Sequence, residues 1–268
     1  MSTERPQSKA VTYASYLKTD ELLRLQQPLS DGPEHDEMLF IIIHQVYELW
    51  FKEVLHEVDY VVKLLLADDL ARAQHTMKRI LTILKVQVTQ LDILETMRPV
   101  DFLAFRTRLE EASGLQSFQF RELEFLLGAK RADVLARYPG ESEALVRLQA
   151  RWDAVTLWDA FIRFLSEEGY EIPTEQLERD VTLPLEPSEG VQAALVQVYR
   201  ADSNVVSLCE RLVDLDEGLQ EWRYRHVKMV ERTIGMKRGT GGSSGVPYLR
   251  GTLNEPVFPD LWVIRGRF

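Results

Sequence analysis

Cysteine is nearly absent from this chain, since Cys209 is the only one in 268 residues. A single thiol excludes an internal disulfide, so this is not a disulfide-stabilised secreted domain. Residues 1–9 are polar and lack the apolar centre of a secretory signal. No uncharged apolar run reaches the roughly 18 residues that cross a bilayer. Together these absences predict a cytoplasmic protein without a membrane-spanning segment.

Positive charge is scarcer than negative charge. The chain has 32 Lys and Arg against 42 Asp and Glu, and its formal net charge is −10. Such a surface repels nucleic acid and anionic membranes, so neither is expected as a main partner. Hydrophobic residues make up 45% and charged residues 28%, as in an ordinary globular protein. The length allows one large core, and we expect a single domain over 1–268.

Patterns typical of β-strands are also missing. Apolar residues instead recur in steps of three and four, which predicts helices. The predicted helical segments are 13–27, 36–66, 68 to Pro99, 102–106 with Asp101 as N-cap, 118–127, several short ones within 130–190, and finally 189–208 and 210–236. Residues 174–189 are predicted to form a loop, and the tail from 238 to be irregular. Long helices with short connections indicate an all-α bundle of antiparallel helices around one core.

Two histidines, His44 and His226, lie on the apolar faces of two predicted long helices. Imidazole can ligate iron, take part in a hydrogen bond or carry a proton near neutral pH. The pattern leaves two interpretations of His226 open: a core histidine with a satisfied hydrogen bond, or a single axial ligand to haem iron. For His44 two interpretations also stay open: a core histidine, or an imidazole that orients a polar N–H or O–H group of a substrate. Because the chain has no Cys-x-x-Cys-His motif, any haem would be bound without a covalent bond.

Two further motifs point to other classes of site. Glu53 and His56 form a Glu-x-x-His pattern of the kind found in di-iron bundles, but no second such pattern exists, which disfavours a di-iron site. The glycine-rich segment 239–245 lacks the Lys-Ser/Thr ending of a phosphate loop and the glycine spacing of a dinucleotide fingerprint. It remains either a surface linker or a loop whose small residues permit close approach to a ligand. Arg106, beside aromatic residues, is either a surface arginine or a clamp for a substrate carboxylate.

Several longer motifs run from Tyr13 to Trp262. They are YASYL at 13–17, HDE at 35–37, FIIIHQ at 40–45, ELW at 48–50, FR at 105–106, ASG at 112–114, QS at 116–117, WRYRH at 222–226 and GTGGSSG at 239–245. Jointly they resemble the tryptophan 2,3-dioxygenase family, haem enzymes of tryptophan catabolism. Residues 130–190 carry little of this resemblance and are expected to form a smaller helical insertion.

The resemblance implies a role for each matching residue around the cofactor and the substrate. His226 is implied to be the axial ligand of one non-covalent haem b per subunit, with Ser113 and Gly114 in the distal haem pocket. The implied tryptophan contacts are Phe40 on the indole ring, His44 at the indole N–H, Arg106 on the carboxylate, Thr240 on the ammonium group beside a haem propionate, and Phe102 near the carboxylate clamp.

The resemblance also implies an assembly. Tyr13, Tyr16 and Leu17 match an N-terminal segment that reaches into a neighbouring subunit's site. We therefore expect residues 12–27 to be exchanged between subunits of a homotetramer, arranged as a dimer of dimers. Two residues depart from the family pattern: Phe102 stands where some members have tyrosine, and Leu115 where phenylalanine is usual. Neither removes a role.

The implied activity is oxidative opening of the indole ring of L-tryptophan by O2. The product is N-formyl-L-kynurenine, into which both oxygen atoms enter, and the reaction is the first step of the kynurenine pathway. Two alternatives stay open. One is a haem monooxygenase acting on a modified tryptophan in secondary metabolism. The other is a haem or tryptophan sensor, although a haem sensor has no need of Arg106 or Thr240.

Overall fold

The computed structural model describes residues 10–201, 203–253 and 255–268, and within these ranges it contains helices and no strand. The helices are α1 (Tyr13–Leu17), α2 (Thr19–Leu22), α3 (His35–Leu65), α4 (Leu70–Leu94), α5 (Pro99–Arg106), α6 (Phe118–Leu127), α7 (Ala132–Leu135), α8 (Glu143–Trp152), α9 (Leu157–Glu167), α10 (Thr174–Leu177), α11 (Glu189–Arg200), α12 (Asn204–Ile234), α13 (Val246–Arg250) and α14 (Pro259–Val263). Short 3-10 segments cover Thr107–Leu109, Gly114–Gln116 and Ile264–Arg267. The all-α prediction is confirmed.

Helices α3, α4 and α12 form the frame of the bundle. A connection of four residues joins α3 to α4, so these two helices run antiparallel. Near its start α4 meets the start of α12, where Gln74 donates to the Asn204 carbonyl oxygen at 2.7 Å. Near their ends Arg225 pairs with Asp92 at 2.5 Å. Helix α12 therefore runs parallel to α4 and antiparallel to α3.

The buried side chains form a large core and a smaller aromatic one. The large core joins α3, α4, α9, α11 and α12, and α9 contributes fully buried residues such as Phe161 and Phe164. Residues of the weakly matching stretch 130–190 thus belong to the main core, while its status as an insertion stays a prediction. The smaller core packs Ile43, Tyr47 and Phe51 against α4, α5 and Met229. It forms the floor beneath the site described below.

The predicted boundaries near Pro99 were wrong. Helix α4 ends at Leu94, and Pro99 begins α5, where its fixed φ suits the first helical position. Asp101 is not the N-cap. It lies in the first turn, and its carboxylate accepts the backbone N–H of the N-cap residue Arg98 at 3.1 Å.

Other local predictions were also wrong. Instead of one helix over 13–27 the chain forms α1 and α2, separated by Lys18 at φ 54°. The break between the last two long helices falls between Arg200 and Asn204, so Cys209 lies inside α12. The segment 174–189 begins with the short helix α10. The tail after 238 contains α13 and α14. Arg250 of α13 pairs with Glu231 of α12 at 2.7 Å, and Asp216 of α12 binds the residues just before α14. The fully buried Asp216 carboxylate accepts the backbone N–H groups of Val257 and Phe258, each at 2.9 Å.

The N-terminal residues 1–9 lie outside the described part of the chain. Among the residues described, no helix combines the length and the apolar character that a bilayer crossing requires.

Candidate active site

A cavity of about 280 Å³ opens between α3, α5, α6, α12 and the loop that follows α12. It brings together most of the residues that the sequence singled out. Those lining it are Phe40, His44, Phe102, Arg106, Ser113, Gly114, His226 and Thr240. Residues from opposite ends of the chain therefore meet in one site.

His44 presents a neutral imidazole to this cavity. Its Nδ1 lies 2.7 Å from the backbone carbonyl oxygen of Phe40, one turn earlier on α3. A carbonyl oxygen only accepts hydrogen bonds, so Nδ1 carries the hydrogen and Nε2 keeps a free lone pair. Burial lowers the pKa of His44, although the Phe40 carbonyl and Glu48 act in the opposite direction. His44 is thus an acceptor for an N–H group in the cavity.

Aromatic rings form the wall beside His44. The ring centroid of Phe40 lies 4.1 Å from that of His44 and 5.7 Å from that of Phe102. Phe102 in turn meets Phe105 edge to face at 5.4 Å. Such a surface suits a planar apolar ring.

His226 lies across the cavity on α12. Its ring is parallel to that of Trp222 within 2°, with centroids 5.2 Å apart. Burial lowers the pKa of His226 to about 4, and the neighbouring His44 and Arg121 act in the same direction. Within the described ranges no group hydrogen-bonds this imidazole. A neutral imidazole with uncommitted nitrogens is what an axial ligand to iron requires.

Arg106 contacts the residue that precedes the loop 239–245, and Thr240 lies in that loop. Arg106 Nη2 donates to the carbonyl oxygen of Arg238 at 2.5 Å, which leaves its other N–H groups for a ligand. Thr240 Oγ1 donates to the carbonyl oxygen of Ala112, also at 2.5 Å. Because that bond uses the hydroxyl hydrogen, the Thr240 oxygen is left as an acceptor for an ammonium group.

Two glycines allow the loop to approach this closely. A Cβ on Gly241 would lie 2.5 Å from the Cβ of Ser113, so a side chain here would push the loop off the cavity rim. Gly245 has φ +73°, and a Cβ there would lie 2.6 Å from the Lys237 carbonyl oxygen. The loop is therefore part of the site and not a surface linker.

Tyr13, Tyr16 and Leu17 do not join the cavity of their own chain. They lie on α1, which has no buried residue, and all three side chains are exposed. Their assignment to a neighbouring subunit's site stays a prediction.

Sequence reasoning missed several polar residues of the cavity wall, among them Arg121, Glu124 and Tyr248. Arg121 and Glu124 are buried on α6 and pair with each other at 2.5 Å. Nothing in the local pattern distinguishes them from surface residues of an amphipathic helix. They become part of the site because α6 packs against α3 and because Arg223 of α12 pairs with Glu124 at 3.4 Å.

The donor set fits a cofactor that takes one axial ligand. In the described part of the chain, no three His, Cys, Asp or Glu side chains lie close enough together to bind a metal ion. Glu53 and His56 therefore belong to no such group. The cavity offers instead a single uncommitted imidazole, His226, among mainly apolar walls. This arrangement fits a haem, for which His226 would be the protein ligand.

The family model described as Tryptophan 2,3-dioxygenase matches residues 2–143 and 188–267. The chain is 60% identical over 259 residues to a protein named Tryptophan 2,3-dioxygenase from Herpetosiphon aurantiacus, covering 97% of this chain and 99% of the relative. It is 53% identical over 266 residues to that of Anaeromyxobacter dehalogenans, covering 99% of each chain. To that of Caulobacter vibrioides it is 45% identical over 260 residues, covering 96% and 98%. The chain belongs to the tryptophan 2,3-dioxygenase family, which is haem-dependent, and the resemblance noted from the sequence is confirmed.

Proposed function

We propose that this protein opens the indole ring of L-tryptophan with O2 and yields N-formyl-L-kynurenine, the first step of the kynurenine pathway. The observation that carries the proposal is one cavity in which the uncommitted imidazole of His226 faces three groups suited to an amino acid. Binding haem requires only His226. His44, Arg106 and Thr240 add complementarity to an indole N–H, a carboxylate and an ammonium group, which supports an enzyme acting on tryptophan.

The cofactor in this proposal is one haem b per chain, held without a covalent bond through His226, with Ser113 and Gly114 beside it. Haem bound there supplies the activation of dioxygen. His226 would hold the haem through a neutral imidazole, because burial lowers the pKa of His226 to about 4. The buried and free Cys209 suits the cytoplasmic location that we also propose.

The substrate residues position tryptophan and exclude water. Phe40 packs against the indole ring, His44 Nε2 accepts from the indole N–H, Arg106 holds the carboxylate and the Thr240 oxygen accepts from the ammonium group. We assign His44 a positioning role and not that of a base. An indole N–H is a very weak acid, and the lowered pKa of His44 makes its imidazole a weaker base still.

The test is the fate of isotopically labelled dioxygen. We expect the reduced, haem-loaded protein to convert L-tryptophan to a product that contains both labelled atoms. A product with one labelled atom would identify the monooxygenase alternative, which the relatives' names do not favour. Binding of tryptophan without turnover would identify a sensor. Mass spectrometry of the product separates the two enzymes, and a binding titration in which no product forms identifies the sensor.

We also propose a homotetramer, a dimer of dimers in which residues 12–27 of one chain complete a neighbour's cavity. The exposure of Tyr13 and Tyr16, which are 77% and 76% exposed in the single chain, supports a role that lies outside it. A solution mass of one chain at micromolar concentration would contradict this proposal.

His44→Ala is expected to slow turnover of L-tryptophan by roughly 10- to 100-fold without abolishing it, since one hydrogen bond and some positioning are lost. Tryptophan methylated at the indole nitrogen should bind poorly to the wild type, because its methyl group meets the imidazole. It should bind better, relative to tryptophan, to His44→Ala. Turnover and binding of both substrates by both proteins provide the measurement.

The opposite role of His44 predicts a different pattern. If His44 were an obligatory base, His44→Ala would lose nearly all activity and added imidazole would restore it. His56→Ala serves as the matched control, because His56 lies on the same helix, is exposed and does not line the cavity.

A further inference from the structure

Arg121 has one unpaired edge of its guanidinium group in the wall of the cavity. The residue is only 6% exposed and lines the cavity. Its Nη1 donates to Glu124 Oε2 at 2.5 Å. Its Nε is buried without a hydrogen-bond partner, and no acceptor for Nη2 is found among the described residues. A buried cation with unpaired donors destabilises the fold unless an anion accepts hydrogen bonds from those donors.

The free edge has the geometry of a carboxylate site. Nε and Nη2 lie on one side of the guanidinium and bind the two oxygens of a carboxylate in parallel. The same edge does so elsewhere among the described residues. Arg98 holds Asp101 through Nε and Nη2 at 2.8 Å each, and Arg179 holds Asp159 at 2.6 and 3.1 Å. At the Nε and Nη2 edge of Arg121, no such carboxylate is found among the described residues.

Charge around Arg121 also favours an anion. Glu124 accepts from Arg121, from Arg131 at 3.4 Å and from Arg223 at 3.4 Å. Three guanidinium groups thus share one carboxylate, and the cluster keeps an excess of two positive charges. Arg223 lines the cavity with Arg121, whereas Arg131 lies behind them.

We infer that the free edge of Arg121 binds a propionate carboxylate of the haem, an inference that rests on the proposed function. The alternative source of a carboxylate is the amino-acid substrate. The haem is favoured because Arg121 shares Glu124 with Arg223, which lies three residues before His226 on α12, and both arginines line the cavity with His226. The substrate carboxylate already has a partner in Arg106, on α5.

The experiment measures loss of porphyrin from the full chain to an excess of a haem-scavenging globin. The chain is loaded either with haem or with its dimethyl ester, which has no propionate charge. We expect Arg121→Met to speed haem loss by roughly 10- to 100-fold, as one charge-assisted bidentate contact is removed. The ester should already leave the wild type faster, and Arg121→Met should add little to its rate. Arg131→Met is the matched control, since it removes a partner of the same Glu124 outside the cavity.

Arg121→Lys keeps the charge without the parallel donors, and we expect a smaller increase in haem loss with unchanged helical circular dichroism. This variant keeps the test usable if Arg121→Met does not fold. Equal acceleration for haem and ester in Arg121→Met would overturn the inference, because Arg121 would then be structural. Unchanged haem loss with weakened tryptophan binding would overturn it in favour of the substrate carboxylate. A wild-type chain that takes up neither porphyrin would overturn the proposed function and this inference with it.

Discussion

Replacing His226 by alanine is expected to give a folded protein in which haem iron has no histidine ligand. In the described chain the His226 imidazole makes no hydrogen bond, so its removal leaves no protein group unpaired. What is lost from the fold is the ring contact with Trp222, worth about 0.5–1.5 kcal/mol. The Soret spectrum of histidine-ligated haem should be lost and turnover should fall below detection.

The control for this variant uses the space that the imidazole leaves. Added free imidazole should enter the cavity beside Trp222 and restore a histidine-like spectrum to His226→Ala. His56→Ala, a change of the same size at an exposed position of α3, should keep the wild-type spectrum. A wild-type Soret spectrum with full activity in His226→Ala would show that the axial assignment is wrong.

A helix could be predicted from the sequence where its apolar spacing and its capping residues determine its boundaries. Helix α6 lies at Phe118–Leu127, as expected, because Ser117 caps its first turn and Gly128, at φ +107°, ends it. Helix α3 was expected over 36–66 and covers His35–Leu65. Apolar spacing and the terminal residues carry this information, so it can be read along the chain.

Elements held by distant contacts could not be predicted in this way. Helix α14 follows a stretch rich in glycine and proline, and its position depends on the buried carboxylate of Asp216, about forty residues earlier. Helix α13 packs against α12, where Arg250 pairs with Glu231 at 2.7 Å. Arg121 raises the same difficulty within the site. Its ion pair with Glu124 is local, three residues along α6, but its burial depends on the other elements around the cavity, and Arg223 of α12 reaches the same Glu124. A single arginine in a helical pattern does not show that burial.

For His44, too, some properties follow from the local sequence and others depend on distant contacts. Its place on an apolar face was predictable from spacing. The hydrogen bond from its Nδ1 to the Phe40 carbonyl oxygen is local too, since residues four apart lie one turn apart on a helix. The lowered pKa is not local, because the burial that causes it comes from several elements around the cavity. The sequence therefore indicates His44 as a candidate site residue, and the tertiary structure supports its neutral state and its tautomer.

Arg106→Leu is expected to weaken binding of L-tryptophan by about 2–4 kcal/mol, roughly 30- to 1000-fold, because one charge-assisted bidentate contact is lost. Tryptamine has the indole and the ammonium group but no carboxylate, so its affinity should change far less. Arg106 also holds the loop through the Arg238 carbonyl oxygen. Loosening of the loop would weaken both ligands together, and the difference between them therefore isolates the carboxylate contact.

Arg108→Leu provides the matched control for this comparison. Arg108 lies two residues further along, pairs with the exposed Asp31 and does not line the cavity. It should leave the affinities for tryptophan and tryptamine unchanged. Binding of both ligands to the haem-loaded proteins can be followed by equilibrium titration. Equal losses of tryptophan and tryptamine affinity in Arg106→Leu would mean that Arg106 only positions the loop, and the carboxylate would then need another partner.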